Sequence, residues 1–140
     1  MTAKKTTKKQ EIAFDYKVIK SFEDACKKEC IDPNALPDLS NLPDEFKKPM
    51  IAHYKLMVIF KAINNGWIPN WNVADYKYFP WFEVEASDEQ PSGFGFSCSG
   101  YDSWYSLTCV GSRLCTYSRE VALYIAKQFE QEYIDLFLIQ

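Results

Sequence analysis

The chain has 140 residues, and 47% of them are hydrophobic. It can therefore bury the core of one domain without needing a disulfide or a metal ion to stabilise the fold. Its net charge is −3, but ten acids and only four bases follow Gly66. That acidic half repels phosphates, which disfavours generic DNA binding. The longest apolar stretch, residues 50–63, contains a histidine and two lysines, and is too short and too polar to cross a membrane.

The first predicted elements are a solvated arm, a strand and a helix. Residues 1–10 hold four lysines and no apolar run, which predicts a disordered lysine-rich arm ahead of a single domain at 11–140. Weak alternation of apolar residues over 14–19 predicts a short strand. Ser21 opens a Ser-x-x-Asp pattern, which predicts the start of a helix that runs to Cys30.

A second helix is predicted after a proline-rich loop. Three prolines interrupt residues 32–43 and indicate the loop. The helix is expected to begin near Asp44, to kink or restart at Pro49, and to end at 64–66, where glycine can take a left-handed cap. Its apolar composition predicts burial on most sides, with His53 in the buried part.

The section from 67 to 105 is the most aromatic part of the chain, with twelve aromatic side chains. Residues 76–85 predict a strand, at an edge or beginning at its proline. Two further strands are predicted over 93–98 and 104–110, joined through 99–102. In the first of them phenylalanines alternate with glycine and serine, so one face is nearly bare. A bare face suits either close packing of a helix or the approach of a flat ligand.

The last elements are a short strand and a long helix. The strand is predicted near Leu114, and Ser118 is predicted to cap the helix. We therefore expect an α+β fold, in which a three- to four-stranded antiparallel sheet packs against about three helices. The chain ends in an apolar segment that is expected to dock on the body or on a second subunit: Leu136, Phe137, Leu138 and Ile139.

Residues 92–99 match two functional motifs only in part. The centre copies the base-stacking strand of RNA-recognition motifs, but Ser92 replaces the required basic residue, and the helices fall in the wrong order. The segment also approaches a nucleophile elbow, yet it lacks the final glycine, and His53 lies in the wrong chain order to serve as its base. Ser97 is therefore predicted to be structural.

The cysteines are predicted to be packing residues rather than metal ligands or nucleophiles. Cys26 and Cys30 lie one helical turn apart, without a second pair at ligand spacing. The other three are placed in predicted strands as small buried residues: Cys98, Cys109 and Cys115. An odd number of cysteines and no secretory signal indicate free thiols in a reducing cytoplasm. With no acid–base pair either, we predict a protein that is not an enzyme, with no catalytic, metal or cofactor site and no cofactor.

The aromatic section provides the candidate contact surface. Neighbouring strand residues point to opposite faces, so one core cannot bury all of these rings, and exposed Trp and Tyr side chains commonly anchor protein contacts. The predicted interaction patch comprises Trp71, Trp81, Tyr101, Trp104 and Tyr105. The leading hypothesis is a non-catalytic protein-interaction module. The alternative is a single-stranded nucleic-acid-binding protein that stacks bases on exposed aromatics.

The same residues resemble a family of small proteins encoded by phages and prophages of Bacteroides and related gut bacteria. The resemblance extends from Phe22 to the C-terminus, leaves out the lysine arm, and is carried by residues 64–71, 76–82, 92–97, 110–115 and 126–129. It implies a phage-encoded accessory or minor virion protein in the cytoplasm of an infected or lysogenic bacterium. It implies a host or phage protein as partner, and brings no activity or site residues with it.

Overall fold

The computed structural model describes residues 14–93, 95–104 and 106–140. Side chains are described throughout these ranges except at 97–99, 102 and 104. The lysine-rich arm predicted at 1–10 therefore lies outside the described residues.

Helices flank a β-hairpin in the described chain. In chain order the elements are a 3₁₀ helix (Tyr16–Val18), α1 (Phe22–Glu29), α2 (Asp44–Asn64), β1 (Lys77–Glu85), β2 (Gly95–Trp104), α3 (Arg119–Gln128) and α4 (Glu130–Phe137). Helix α3 packs on both strands, whereas α2 packs between α1 and α4. The arrangement confirms the predicted α+β class.

Serine side chains begin two of the helices at the predicted positions. Ser21 Oγ accepts a hydrogen bond from the backbone N–H of Asp24 at 3.1 Å. Ser118 Oγ accepts one from Val121 N–H at 3.2 Å. Each bond satisfies a donor that has no partner within its own helix. These starts are therefore fixed by a few neighbouring residues.

The segment before α1 is a turn, so the strand predicted over 14–19 is wrong. Residues Tyr16–Val18 form a 3₁₀ helix instead. The Asp15 carboxylate accepts a hydrogen bond from the backbone N–H of Lys17 at 3.0 Å, and the Tyr16 ring packs edge-on against Tyr124 at 5.2 Å. The side-chain cap at Asp15 and the ring contact with Tyr124 favour this turn more strongly than the weak alternation of apolar residues favours a strand.

Helix α2 runs from Asp44 to Asn64 with Pro49 inside it, and ends as predicted, with Asn65 in the left-handed conformation. Burial on most sides holds for only part of the helix. Its second half contributes core residues such as Phe60, but its first half is largely exposed, and so is His53. The prediction of a buried His53 is wrong, because only the second half of α2 is covered by other elements.

Strands β1 and β2 pair antiparallel, from Lys77 opposite Trp104 to Glu85 opposite Gly95. The register shifts between Trp81 and Phe82. Two separate strands joined at 99–102 were predicted, and that is wrong because β2 is continuous. Gly100 has a φ of +147° beside the register shift, a conformation that glycine adopts without strain, and the chain continues there as a strand.

A third strand position lies beside β1. Tyr78 and Thr116 exchange backbone hydrogen bonds of 2.9 and 2.8 Å as an antiparallel bridge, close to the strand predicted near Leu114. The sheet thus reaches three strands, the lower end of the prediction. Residues 106–112 form a loop rather than the remainder of a strand over 104–110.

The long C-terminal helix is divided at Phe129. Its φ and ψ of −118° and 32° end α3, and α4 begins at the next residue. Phe129 is buried in the core. The break allows Tyr133 of α4 to pack against Phe82 of β1, with ring centroids 4.8 Å apart. Tertiary packing therefore divides a sequence whose local pattern is continuous.

The apolar C-terminal segment docks in part on the domain body. Leu138 is buried, and it lies close to Gly93 in the turn between the strands. Phe137 and Ile139 remain exposed. The segment thus contributes both to the core and to an apolar surface.

Candidate functional site

Trp71, the first residue of the predicted patch, lies over a buried ammonium group. Lys77 is 2% exposed, and its Nζ lies 5.1 Å from the centroid of the Trp71 ring. The ammonium donates a hydrogen bond to the Val73 carbonyl at 3.1 Å, and the indole N–H donates one to Ser112 Oγ at 2.8 Å. A desolvated cation over an indole face is stabilised by the ring quadrupole. The ring of Trp71 is therefore engaged within the domain.

We expect Trp71→Ala to lower the free energy of unfolding by about 2 kcal/mol, because it removes the cation–π contact and the apolar burial of the indole. Urea denaturation followed by circular dichroism measures the change. The matched control is Trp81→Ala, in which an exposed indole is lost, and a smaller decrease is expected. Equal losses for the two variants would argue against a structural role for Trp71.

Tyr101 lies in a row of three tyrosines on the hairpin. Its ring centroid is 5.6 Å from that of Tyr78, which is 6.2 Å from that of Tyr76. We call these three residues the tyrosine row. Arg119, at the start of α3, hydrogen-bonds to Glu120 and to Tyr101, and these contacts raise the pKa of its guanidinium. The row is exposed at Tyr76 and Tyr101.

The remaining predicted patch residues are placed differently. Trp104 pairs through its backbone with Lys77, but its side chain lies outside the described part, as does the whole of Tyr105. Trp81 is opposite Gly100, next to the pairing of Pro80 with Tyr101. Of the predicted patch residues with described side chains, Trp71, Trp81 and Tyr101 occupy three different environments. Only Trp81 borders the apolar cleft described next.

Trp81 lines an apolar cleft between β1 and α4, with a volume of about 460 Å³. We call it the Trp81 cleft and define it by Phe79, Trp81, Phe82, Val84, Tyr133 and Phe137. Its described lining carries no carboxylate, ammonium or guanidinium group, and His53, Cys109 and Tyr133 are its polar members. Such a surface suits an apolar group of a ligand or a partner.

Tilted, closely packed rings form the floor of the cleft. The Phe82 centroid lies 4.3 Å from that of Phe96 and 4.8 Å from that of Tyr133. Tyr133 in turn contacts Phe137 at 5.4 Å. Burial raises the pKa of the Tyr133 phenol, so the floor stays neutral at physiological pH. Packed aromatic rings of this kind provide a rigid base for a contact surface.

The rim of the cleft is exposed and apolar. Trp81, Val84 and Phe137 are each 52% exposed. Glu83 and Glu85 are neighbours of Val84 along β1 and are exposed as well, but successive strand residues point to opposite faces, so their carboxylates lie on the other face of the strand. The cleft therefore has an apolar centre and rim, with acidic groups nearby but outside its lining.

Sequence reasoning missed Val84, and it placed Phe137 only in a docking segment. The apolar C-terminal residues were the available signal for Phe137. Nothing in the local pattern indicates that this segment meets Trp81, since the two are brought together by packing of α4 on the hairpin. The grouping is a tertiary property.

The cysteines with described side chains are a mixed group. Cys26 and Cys115 are buried, whereas Cys30 and Cys109 are exposed. Cys109 lies in the loop at 106–112, so its prediction as a buried strand residue is wrong. Burial raises the pKa of Cys115 to about 11 and also raises the pKa of Cys26. Both buried thiols are therefore protonated at neutral pH, which suits packing rather than nucleophilic chemistry.

Two wider features complete the description. No group of three or more metal-ligating side chains occurs among the described residues. None of the helices in the described part is long and apolar enough to span a bilayer.

No family model matches the chain, and comparisons with curated proteins and solved structures give no significant match. The geometry of the surface is then the basis for a functional proposal.

Proposed function

We propose that the protein is a non-catalytic interaction module that binds an apolar segment of a partner protein in the Trp81 cleft. The observation that carries the proposal is the exposure of Trp81, Val84 and Phe137 around an uncharged cavity. Burying apolar surface stabilises a complex by roughly 25 cal/mol per Å². Large exposed apolar groups with a polar border are typical of contact sites.

The acidic half of the chain around the cleft indicates the charge of the partner. Glu83 and Glu85 are exposed on the face of β1 opposite Val84, so they attract basic groups at longer range and do not contact the apolar anchor. A partner segment with an aliphatic or aromatic anchor between lysines or arginines complements both features. The flanking charges are expected to increase the association rate and to make it dependent on salt.

The resemblance to phage and prophage proteins supports a host or phage protein as the partner, in the cytoplasm of an infected or lysogenic bacterium. In that setting the module is an accessory factor or a minor virion protein.

Single-stranded nucleic-acid binding is the second candidate, and the tyrosine row is the observation that favours it. Three adjacent rings, at Tyr76, Tyr78 and Tyr101, form a stacking platform. The nearby cation is already paired, because Arg119 Nε lies 2.9 Å from a Glu120 carboxylate oxygen. Stacking without a free cation loses the phosphate contribution that dominates such affinities, so protein binding remains the leading proposal.

We expect Val84→Ser to weaken binding of an apolar peptide by about fivefold or more, since an exposed contact at the cleft rim is lost. The probe is a fluorescein-labelled peptide in which leucine and tryptophan anchors lie between lysines, and fluorescence anisotropy gives the Kd. A second peptide, with glutamates in place of the lysines, is expected to bind more weakly than the first. Trp81→Ala is expected to act in the same direction as Val84→Ser.

The matched control is Val18→Ser, because Val18 is 55% exposed and lies on the 3₁₀ helix, outside the cleft. It is expected to leave the Kd unchanged. Equal effects of Val84→Ser and Val18→Ser, or no binding of either peptide, would contradict the proposal. An oligothymidylate that binds at low salt and is lost in Tyr101→Ala would favour the second candidate. Sedimentation that depends on concentration and on Phe137 would instead identify a second copy as the occupant.

A further inference from the structure

A second concave surface lies along the C-terminal half of α2 and shares no lining residue with the Trp81 cleft. Its volume is about 700 Å³, within the range of small-molecule sites. We call it the Arg113 groove and define it by Tyr54, Met57, Lys61, Trp67, Ile68 and Arg113.

Helix α2 and the turn after it build the apolar body of the groove. Met57 and Lys61 are one helical turn apart on α2. After the left-handed residue Asn65, the chain folds back, and the backbone N–H of Trp67 donates to the Asn64 carbonyl at 2.8 Å. This turn places Ile68 at the groove, where the residue is 80% exposed. An apolar wall therefore remains open to a ligand.

The charge of the groove is opposite in sign to that of the acidic half of the chain. Its lining contains Lys61, Arg113 and one carboxylate, that of Glu29. The Glu29 carboxylate lies 3.4 Å from the ammonium of Lys28 and 3.7 Å from that of Lys61. Arg113 is exposed and has no ion pair within the described residues. The groove thus holds one carboxylate already shared by two lysines, and one guanidinium available to an anion.

We propose that the Arg113 groove binds a small amphiphilic organic anion, whose carboxylate or similar head pairs with Arg113 while its apolar body lies on Met57, Trp67 and Ile68. A guanidinium provides a fork of N–H donors that matches a carboxylate. The apolar wall provides the burial that a small inorganic anion could not use. This site is independent of the Trp81 cleft and of partner binding there.

Two dyes with nearly the same body test the proposal. 1-Anilinonaphthalene-8-sulfonate carries an anionic head, and N-phenyl-1-naphthylamine lacks it. In fluorescence titrations, Arg113→Gln is expected to weaken binding of the anionic dye by about tenfold, as for one lost charge-assisted hydrogen bond, and to leave the neutral dye unchanged. Ile68→Ser is expected to weaken binding of both dyes. Decanoate is expected to displace the anionic dye at concentrations where 1-decanol does not.

Control variants separate this site from the rest of the surface. Arg119→Gln removes an exposed guanidinium outside the groove lining, and is expected to change neither affinity. Val84→Ser is expected to weaken binding of any dye in the Trp81 cleft, and the effect of Arg113→Gln is expected to persist in that background. The proposal is overturned if Arg113→Gln and the parent protein bind the anionic dye equally, if the neutral dye is weakened as much, or if neither dye binds saturably.

Discussion

Gly93→Ala is expected to lower the free energy of unfolding by about 3 kcal/mol, the largest effect we predict for a single methyl group in this chain. Gly93 has a φ of +95°, which strains any L side chain. A Cβ there would also lie 2.6 Å from Val84 Cγ1 and 3.2 Å from Leu138 Cδ2. Since backbone strain and overpacking each cost roughly 1–3 kcal/mol, the two effects add.

Gly111→Ala is the matched control, because Gly111 also has a positive φ, +73°, but no heavy atom lies within 4 Å of the added Cβ. It is expected to lose only about 1 kcal/mol, from the backbone conformation. Urea denaturation of both variants isolates the steric part. Equal losses of unfolding free energy would show that Val84 and Leu138 do not crowd the methyl group added at position 93. Because Val84 borders the Trp81 cleft, Gly93→Ala is also expected to weaken binding of the lysine-flanked peptide.

Asn64→Leu is expected to lower the free energy of unfolding by about 3 kcal/mol, because it leaves two buried polar groups without partners. Asn64 Nδ2 donates to the Cys115 carbonyl at 2.9 Å, and Thr116 Oγ1 donates to Asn64 Oδ1 at 2.7 Å. Both bonds are buried and connect the end of α2 to the third strand position. Leucine has the same number of side-chain heavy atoms and the same branching at Cγ, so the loss reports mainly the missing hydrogen bonds.

A double-mutant cycle with Thr116→Val tests this interpretation. If the amide and the hydroxyl depend on each other, the two losses are less than additive, because the double variant no longer leaves the hydroxyl unpaired. Additive losses would contradict the proposed pairing. Asn34→Leu, at an exposed loop position, is the control and is expected to change stability by less than about 0.5 kcal/mol. Faster amide exchange at Tyr78 in Asn64→Leu would locate the damage at the bridge to Thr116.

The two proposed sites differ in charge, so their occupants differ as well. The Trp81 cleft has an uncharged lining within an acidic half of the chain, which suits an apolar anchor with basic neighbours. The Arg113 groove has an apolar wall and a free guanidinium, which suits an amphiphilic anion. Variants at Val84 and at Arg113 are therefore expected to affect different ligands, and a loss common to both would indicate unfolding.

The predicted aromatic patch shows what amino-acid composition alone can predict about the protein surface. Several rings between 67 and 105 do reach the surface, among them Tyr76, Trp81 and Tyr101. Composition could not show that Trp71 covers the ammonium of Lys77. It also could not show that Trp81 and Phe137, 56 positions further along the chain, line the same cleft. Exposure and grouping depend on which distant elements pack together.

The sequence alone predicted those features that depend only on residues close together in the chain. The helix starts at Ser21 and Ser118 depend on a hydroxyl and an N–H three residues away, and the end of α2 depends on residues that accept a positive φ. Only the tertiary structure decided the continuity of β2, the break at Phe129 and the two concave surfaces. Each of these depends on contacts between residues far apart in the chain, where burial of a ring or pairing of a strand outweighs the local preference of the backbone.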